Sequence, residues 1–270
     1  MSQPQNLPDI NRMSVISATI LLAYASSRFV TLPSYDLDLQ LPGIYLSIEL
    51  NVNTMISFLV SALTATGTDW IISNHPALRK KKTYQHLILP GLTAWVIAVS
   101  LLRLPFGFQW ILGFTLSSAI LILVMVAEYV TVDPDDVRHP LATAFLTAIS
   151  FTLYLILAIA LRSAGVRLFQ ILPAMTLASL LVTLRTLHLR LQGRWFFYPA
   201  FVLAVIIAQF TAAVHYWPLS PITFGLVLLG PAYAFVSLII NITEGEPFRK
   251  AIVEPVLALF AIFGLAAWLQ

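Results

Sequence analysis

Acidic and histidine side chains recur with one spacing at two places where an apolar segment gives way to a polar one. Asp69 stands six residues before His75, and Asp133 stands six residues before His139; a proline follows each histidine. A carboxylate and an imidazole at such a place could ligate a divalent metal, act as general acid and base, or bind a lipid phosphate with the nearby Arg79 or Arg138. The spacing therefore marks a candidate site at the end of a membrane-spanning bundle.

A simpler interpretation of the two copies needs no ligand. Asp69 or Asp133 would cap a short interfacial helix, and the prolines would begin the next helix, a position that proline favours. Each histidine would then be an ordinary solvated residue, and we favour this interpretation. The copies lie 64 residues apart, the length of a two-helix unit, which is consistent with an internal duplication.

Glu128 and Asp69 differ from the other acidic residues because each lies within an apolar run, about one turn from its end. An unpaired charge there costs roughly 1–3 kcal/mol. Arg185 and His188, on the same predicted side of the membrane, are the expected partners. Structural pairing that fixes helix packing is the first interpretation, and a functional site is the second. The candidate site comprises Asp69, His75, Glu128, Asp133, His139, Arg185 and His188.

The composition places these residues in a membrane. Apolar residues make up 59% of the 270-residue chain and charged residues only 10%, against about 25% charged residues in an average soluble domain. So few charges cannot cover a water-soluble surface of this size. The net charge of +3 is too small to indicate a nucleic-acid partner, and the absence of cysteine excludes disulfides and thiolate chemistry. No metal or cofactor is assigned.

Apolar runs long enough to span a bilayer, about 20 residues at 1.5 Å each, recur along the whole chain. They predict an all-α membrane protein, a bundle of about nine transmembrane helices that forms a single polytopic domain over residues 1–270. The predicted spans are residues 13–31, 53–73, 87–104, 109–131, 141–161, 168–187, 195–216, 221–242 and 251–270.

Residues 36–52, between the first two spans, have a different pattern. Apolar and polar residues alternate there on both sides of Pro42-Gly43, a pair that suits the centre of a type II turn. Alternation with period two on either side of a turn predicts an amphipathic β-hairpin. Because open strand edges are prohibitively costly in hydrocarbon, we expect the hairpin on the outer surface. The alternative is a loop that leads into an early start of the second helix.

The distribution of lysine and arginine predicts the orientation. If the basic run 79–82 is cytoplasmic, eleven Lys and Arg residues lie on the cytoplasmic side and four on the outer side. Cytoplasmic loops carry such an excess. The N-terminus is then predicted to be cytoplasmic and the C-terminus outside.

The predicted hairpin followed by Thr66-Gly67-Thr68-Asp69-Trp70, and then by Asn74-His75-Pro76, resembles an uncharacterised family of bacterial multi-span membrane proteins. The resemblance covers roughly the first third of the chain. It implies a location in the bacterial cytoplasmic membrane. It adds no catalytic residue, because that family has no assigned activity.

Three classes of function are compatible with these features. The first is a non-catalytic integral membrane subunit or scaffold, whose partners are membrane lipids and other membrane subunits. The second is an interfacial enzyme that acts on a lipid or polyprenyl-linked substrate at the cytoplasmic face. The third is a small-solute transporter, which usually has ionisable residues near the bilayer midplane; the middles of these spans are almost free of them. We rank the classes in that order.

Overall fold

A computed structural model describes residues 8–27, 35–41, 44–50, 52–78, 83–191 and 193–270, with the backbone alone for residues 27, 35–41, 44–50, 52 and 53. Helices dominate the described chain, and two short 3-10 helices, Pro76–Leu78 and Tyr84–His86, lie between α2 and α3. The elements are α1 Ile10–Ser27, β1 Tyr35–Leu41, β2 Ile44–Leu50, α2 Val52–Ile72, α3 Ile88–Leu101, α4 Phe108–Val130, α5 His139–Ser163, α6 Leu168–Arg190, α7 Phe197–His215, α8 Pro221–Thr243, α9 Phe248–Ala251 and α10 Val253–Trp268.

Eight segments of the described chain are helices long and apolar enough to cross a membrane. They correspond to the second through ninth predicted spans, and they identify a multi-pass membrane protein. The remaining long helix, α1, is packed alongside them: the buried hydroxyl of Tyr24 donates a hydrogen bond of 2.7 Å to the carbonyl oxygen of Ala94 in α3. The last four residues of the first predicted span, 28–31, lie outside the described residues.

The segment predicted to form a hairpin contains two strands. Tyr35–Leu41 pairs antiparallel with Ile44–Leu50, and Leu39 lies opposite Leu46 in the register. Three parts of the sequence lie outside the described residues: the predicted turn at 42–43, residue 51 near the end of the hairpin segment, and the basic run 79–82. The position of the strands relative to a membrane stays a prediction.

Two apolar cores hold the helices together. The larger is built around buried side chains of α5, α6 and α8, such as Tyr154, Met175 and Phe224. The smaller joins α1 and α2 to α3 and α4 and includes Ile20 and Leu121. Both cores contact α3 and α4, so these two helices connect the first part of the bundle to the rest and bring residues distant in sequence to one end.

Gly225 allows α8 to approach α5 closely. A Cβ atom at this position would lie 2.8 Å from Cδ1 of Leu155 and 3.4 Å from its carbonyl oxygen. Small residues permit this kind of backbone approach between membrane helices. Gly230 does the same toward α10, where a Cβ atom would lie 3.0 Å from the Phe263 ring.

We therefore expect Gly225→Ala to destabilise the protein by about 1–3 kcal/mol, because the added methyl group overpacks the contact between α5 and α8. Thermal unfolding of the detergent-solubilised protein measures the effect. Gly264→Ala in α10 is the matched control, since nothing lies within 4 Å of a Cβ atom there. Equal melting temperatures for the two variants would contradict the close approach.

Candidate functional site

Glu128 forms a buried ion pair that joins α4 to α6. Its side chain is 0% exposed, in the last turn of α4, and that of Arg185 is 1% exposed, near the end of α6. Arg185 donates from Nε to Oε1 of Glu128 at 2.9 Å and from Nη2 to Oε2. Two parallel hydrogen bonds between a guanidinium and a carboxylate are the strong form of this interaction. The pairing of Glu128 with Arg185 that the sequence predicts is therefore present.

His86 is the third member of this buried centre, and it is not among the residues predicted from the sequence. Its Nδ1 lies 2.9 Å from Oε2 of Glu128, and its Nε2 lies 3.1 Å from Nε2 of Gln85. A neutral imidazole satisfies both contacts if Nδ1 carries the proton and donates to the carboxylate, while Nε2 accepts from the Gln85 amide. The 3-10 helix Tyr84–His86 places the ring there. The only sequence signal was a histidine next to the third span, on the same predicted side as Glu128.

Thr131 completes the surroundings of the carboxylate. Its hydroxyl donates to the backbone carbonyl of Glu128 at 2.9 Å and lies 3.5 Å from Oε2. Both carboxylate oxygens thus have donors, and the side chains of His86, Glu128 and Arg185 are at most 5% exposed. We call these three residues the buried triad. The charged groups of the buried triad are therefore almost closed to solvent.

Asp69 does not reach the triad. Its Oδ1 accepts a hydrogen bond from the hydroxyl of Thr83, just before the 3-10 helix that holds His86. This contact ties the end of α2 to the start of the 3-10 helix Tyr84–His86. The predicted partner role of Arg185 and His188 for Asp69 is wrong, because Thr83 fills it.

His75 lies beside the triad and is also buried. Its Nδ1 accepts a hydrogen bond of 3.1 Å from the backbone N–H of Ala77, and its ring meets the ring of Tyr129 edge-on at 4.4 Å between centroids. Burial lowers the pKa of His75, and the nearby carboxylates of Asp133 and Asp136 oppose that shift. The imidazole is therefore neutral at pH 7.

This shift gives a pH dependence with a defined sign. Because the folded-state pKa of His75 lies below the ordinary 6.5, the unfolded chain takes up the proton first, and stability falls as pH drops below about 6.5. We expect NMR of labelled histidine to show His75 titrating below that value. Asp136→Asn should lower the midpoint further. A midpoint at or above 6.5 would mean that the carboxylates outweigh burial.

The second Asp-His copy has a different local structure from the first. Asp133 lies beyond the end of α4, and its Oδ1 accepts from the backbone N–H of Asp135 at 3.1 Å. His139 begins α5 and is half-buried, with a proline next to it in the first turn. Asp69, in contrast, lies inside α2, and the proline after His75 begins a 3-10 helix. The prolines thus start helical segments, as the simpler interpretation expects. Its expectation of a solvated histidine is wrong for His75, which is buried.

Asp136 holds the loop that leads into α5. Its carboxylate accepts hydrogen bonds from Arg138 at 3.0 Å from Nε and 2.7 Å from Nη2. These bonds lower the pKa of Asp136 to about 2 and raise that of Arg138. The arginine predicted to assist the second copy in binding a phosphate is thus already paired.

His188 is buried but does not contact the Glu128 carboxylate. Its ring packs against Trp195, 4.6 Å between centroids, and Tyr84 stacks on the same tryptophan. Its Nδ1 has no hydrogen-bond partner among the described residues. The predicted pairing of Glu128 with His188 is wrong, because Arg185 and His86 bind the carboxylate and the His188 ring packs on Trp195 instead.

The seven candidate residues thus gather at one end of the bundle, but they do not form one site. Glu128 and Arg185 join His86. His75 lies outside this centre, near the Asp133 carboxylate, and Asp69, His139 and His188 have other surroundings. In the part of the chain that the structure describes, no three His, Asp or Glu side chains lie close enough to hold a metal ion together.

Comparison with known proteins gives one match. A family model described as protein of unknown function (DUF5656) matches residues 32–269. The resemblance found in the first third therefore extends over nearly the whole chain. No curated protein and no solved structure matches significantly.

Proposed function

The chain belongs to the DUF5656 family of proteins of unknown function, and we propose that it is a non-catalytic integral membrane subunit. The buried triad carries the proposal. Its carboxylate oxygens are filled by Arg185, His86 and Thr131, and its three side chains are at most 5% exposed. A catalytic carboxylate needs access to substrate, whereas a saturated centre serves to hold helices in register.

The proposed setting is a bacterial cytoplasmic membrane, with the N-terminus and the triad end of the bundle cytoplasmic and the C-terminus outside. The excess of lysine and arginine at the triad end supports this orientation. The orientation also requires α1 to cross the membrane, and the packing of α1 against α3 supports that requirement. The paired strands between α1 and α2 would then lie on the outer side.

A subunit needs a surface for its partner, and α10 is the candidate. Only 17% of its spanning segment is buried, compared with 67% for the segment that contains α3. It packs on α8 through the Gly230 contact, which leaves Leu257 and Phe260 on an exposed apolar face. We propose that a second membrane subunit covers this face.

Crosslinking from inside the membrane tests the proposal. A photoreactive phenylalanine analogue at Phe260, 72% exposed, should give a crosslinked species of one defined mass in intact cells. The same analogue at Ile111 on α4, 57% exposed, should give lipid adducts. Lipid adducts alone at both positions would contradict a subunit role at α10.

One observation favours the interfacial enzyme as a second candidate. The neutral imidazole of His75 is flanked by the carboxylates of Asp133 and Asp136, and these are the groups of general acid–base catalysis. Incubation of the purified protein with a polyprenyl phosphate, followed by mass spectrometry, tests it. Turnover that His75→Gln abolishes at an unchanged melting temperature would favour the enzyme over the subunit.

A further inference from the structure

An open cavity of about 640 Å³ lies at the end of the bundle opposite the triad, where α5 ends, α6 begins and α7 ends. Arg167, Leu168 and Phe169 line it from the start of α6, and His215 and Tyr216 line it from the end of α7. None of these residues belongs to the candidate site described above. The cavity is therefore separate from the candidate site.

The start of α6 supplies hydrogen-bond donors to the cavity. Arg167 precedes the helix in an extended conformation, and no side chain caps the helix. The first hydrogen bonds of the helix run from the N–H groups of Gln170 and Ile171 to the carbonyl of Arg167. The N–H groups of Leu168 and Phe169 consequently have no acceptor within the helix. Such an end carries partial positive charge and favours an anion.

His215 is an independent indication of a binding site. Its side chain lines the cavity and is 9% exposed, and its buried Nδ1 has no hydrogen-bond partner among the described residues. A buried polar atom without a partner is unfavourable. A ligand oxygen in the cavity would satisfy it.

The charged groups around the cavity indicate the charge of that ligand. Arg162 donates to the carbonyl oxygens of His215 at 2.6 Å and Trp217 at 2.7 Å, so its guanidinium is fixed beside the cavity. Arg167 is exposed at the rim. Neither arginine forms an ion pair with a carboxylate in the described part of the chain. Two cations and a helix start without opposing charge form a site for an anion.

The position of the cavity relative to the membrane indicates the source of the anion. It lies where the spanning segments of α6 and α7 terminate, and Tyr216 and Trp217 beside it are 78% and 60% exposed. Aromatic residues of this kind mark the level of the lipid headgroups. Leu168, Phe169 and Leu172 give the same cavity an apolar wall, which suits the beginning of an acyl chain.

We propose that this cavity binds a phosphate group, and that the group belongs to the headgroup of an anionic membrane lipid. The phosphate oxygens accept from the free N–H groups of α6 and from Arg167, and His215 completes the site. The lipid chains extend along the apolar wall. This site is independent of the proposed subunit role at α10.

Native mass spectrometry of the purified protein, titrated with phosphatidylglycerol and with phosphatidylcholine, tests the site. We expect phosphatidylglycerol to bind preferentially, and Arg167→Gln or His215→Gln to weaken it about tenfold or more, the equivalent of one charge-assisted hydrogen bond. Arg103→Gln is the matched control: Arg103 is exposed in the connection between α3 and α4, outside the cavity. It should leave the affinity unchanged.

A separate titration with inorganic phosphate distinguishes a lipid headgroup from free phosphate as the bound group. If phosphate binds with the same dependence on Arg167 and phosphatidylglycerol does not bind, the cavity takes free phosphate and the lipid assignment is overturned. Equal weakening by Arg103→Gln and Arg167→Gln would overturn the site itself, because general surface charge would then explain the binding. The exposed Arg167 variant keeps the test valid if His215→Gln fails to fold.

Discussion

Replacing Glu128 by leucine is expected to destabilise the folded protein by about 3–5 kcal/mol, the cost of leaving a buried charge without its partner. Arg185 is 1% exposed and both of its contacts to the carboxylate would be lost. The guanidinium cannot relieve the loss by releasing its proton, because arginine stays protonated in proteins. His86, the other neighbour of that charge, offers no negative group.

Unfolding by denaturant in one detergent, followed by tryptophan fluorescence, measures this effect. Glu246→Leu is the matched control, since Glu246 is exposed in the connection between α8 and α9. Its change in the free energy of unfolding should stay within about 0.5 kcal/mol. If the two variants unfold alike, the ion pair contributes nothing to the fold.

Replacing Glu128 and Arg185 together by leucine is expected to restore most of the stability that the single Glu128→Leu substitution removes. Buried ion pairs exchanged for apolar residues of similar volume are often neutral or even stabilising, because two desolvation costs disappear with the attraction. His86 keeps its contact with Gln85. The double variant should therefore unfold within about 1–2 kcal/mol of the wild-type protein.

A double-mutant cycle isolates the coupling between the two residues. Arg190→Leu combined with Glu128→Leu is the control, because Arg190 lies in the same helix but is exposed, and it should rescue nothing. Failure of the Glu128 and Arg185 double variant to recover would oppose a purely structural triad. A stable double variant that no longer gives the crosslink from Phe260 would instead tie the centre to partner binding.

The spanning helices could be predicted from the sequence because their length is a property of local composition. The predicted span 221–242 differs from α8, Pro221–Thr243, by one residue, and 168–187 falls within α6. Segment 195–216 begins two residues before α7 and ends one residue after it. A run of apolar residues long enough for the bilayer leaves few other structures open to the chain.

The buried triad could be predicted only in part. The predicted topology puts Glu128 and Arg185 on the same side of the membrane, and a buried carboxylate needs a cation. The pairing of these two residues could therefore be predicted. His86 could not be found in this way, since its contact depends on a 3-10 helix whose bend is set by tertiary packing. His188 was assigned wrongly because the packing of Trp195 on its ring leaves no trace in the spacing of the residues.

The two Asp-His copies show where a short spacing stops being informative. Six residues separate Asp69 from His75 and Asp133 from His139. The first copy begins inside a helix and the second begins after one. Equal spacing therefore corresponds to different backbone paths, and the carboxylates acquire different partners: Thr83 in one case and the backbone of Asp135 in the other.

The order of the triad along the chain has a consequence for biosynthesis. His86 is synthesised 42 residues before Glu128, and Arg185 follows Glu128 by 57 residues. At ordinary translation rates those 57 residues take roughly 3–11 s. During that interval the nascent α4 carries its carboxylate without the guanidinium, and the imidazole already made is the one member of the triad at hand. His86 is therefore made before the carboxylate that it binds, and Arg185, which completes the buried triad, is made last.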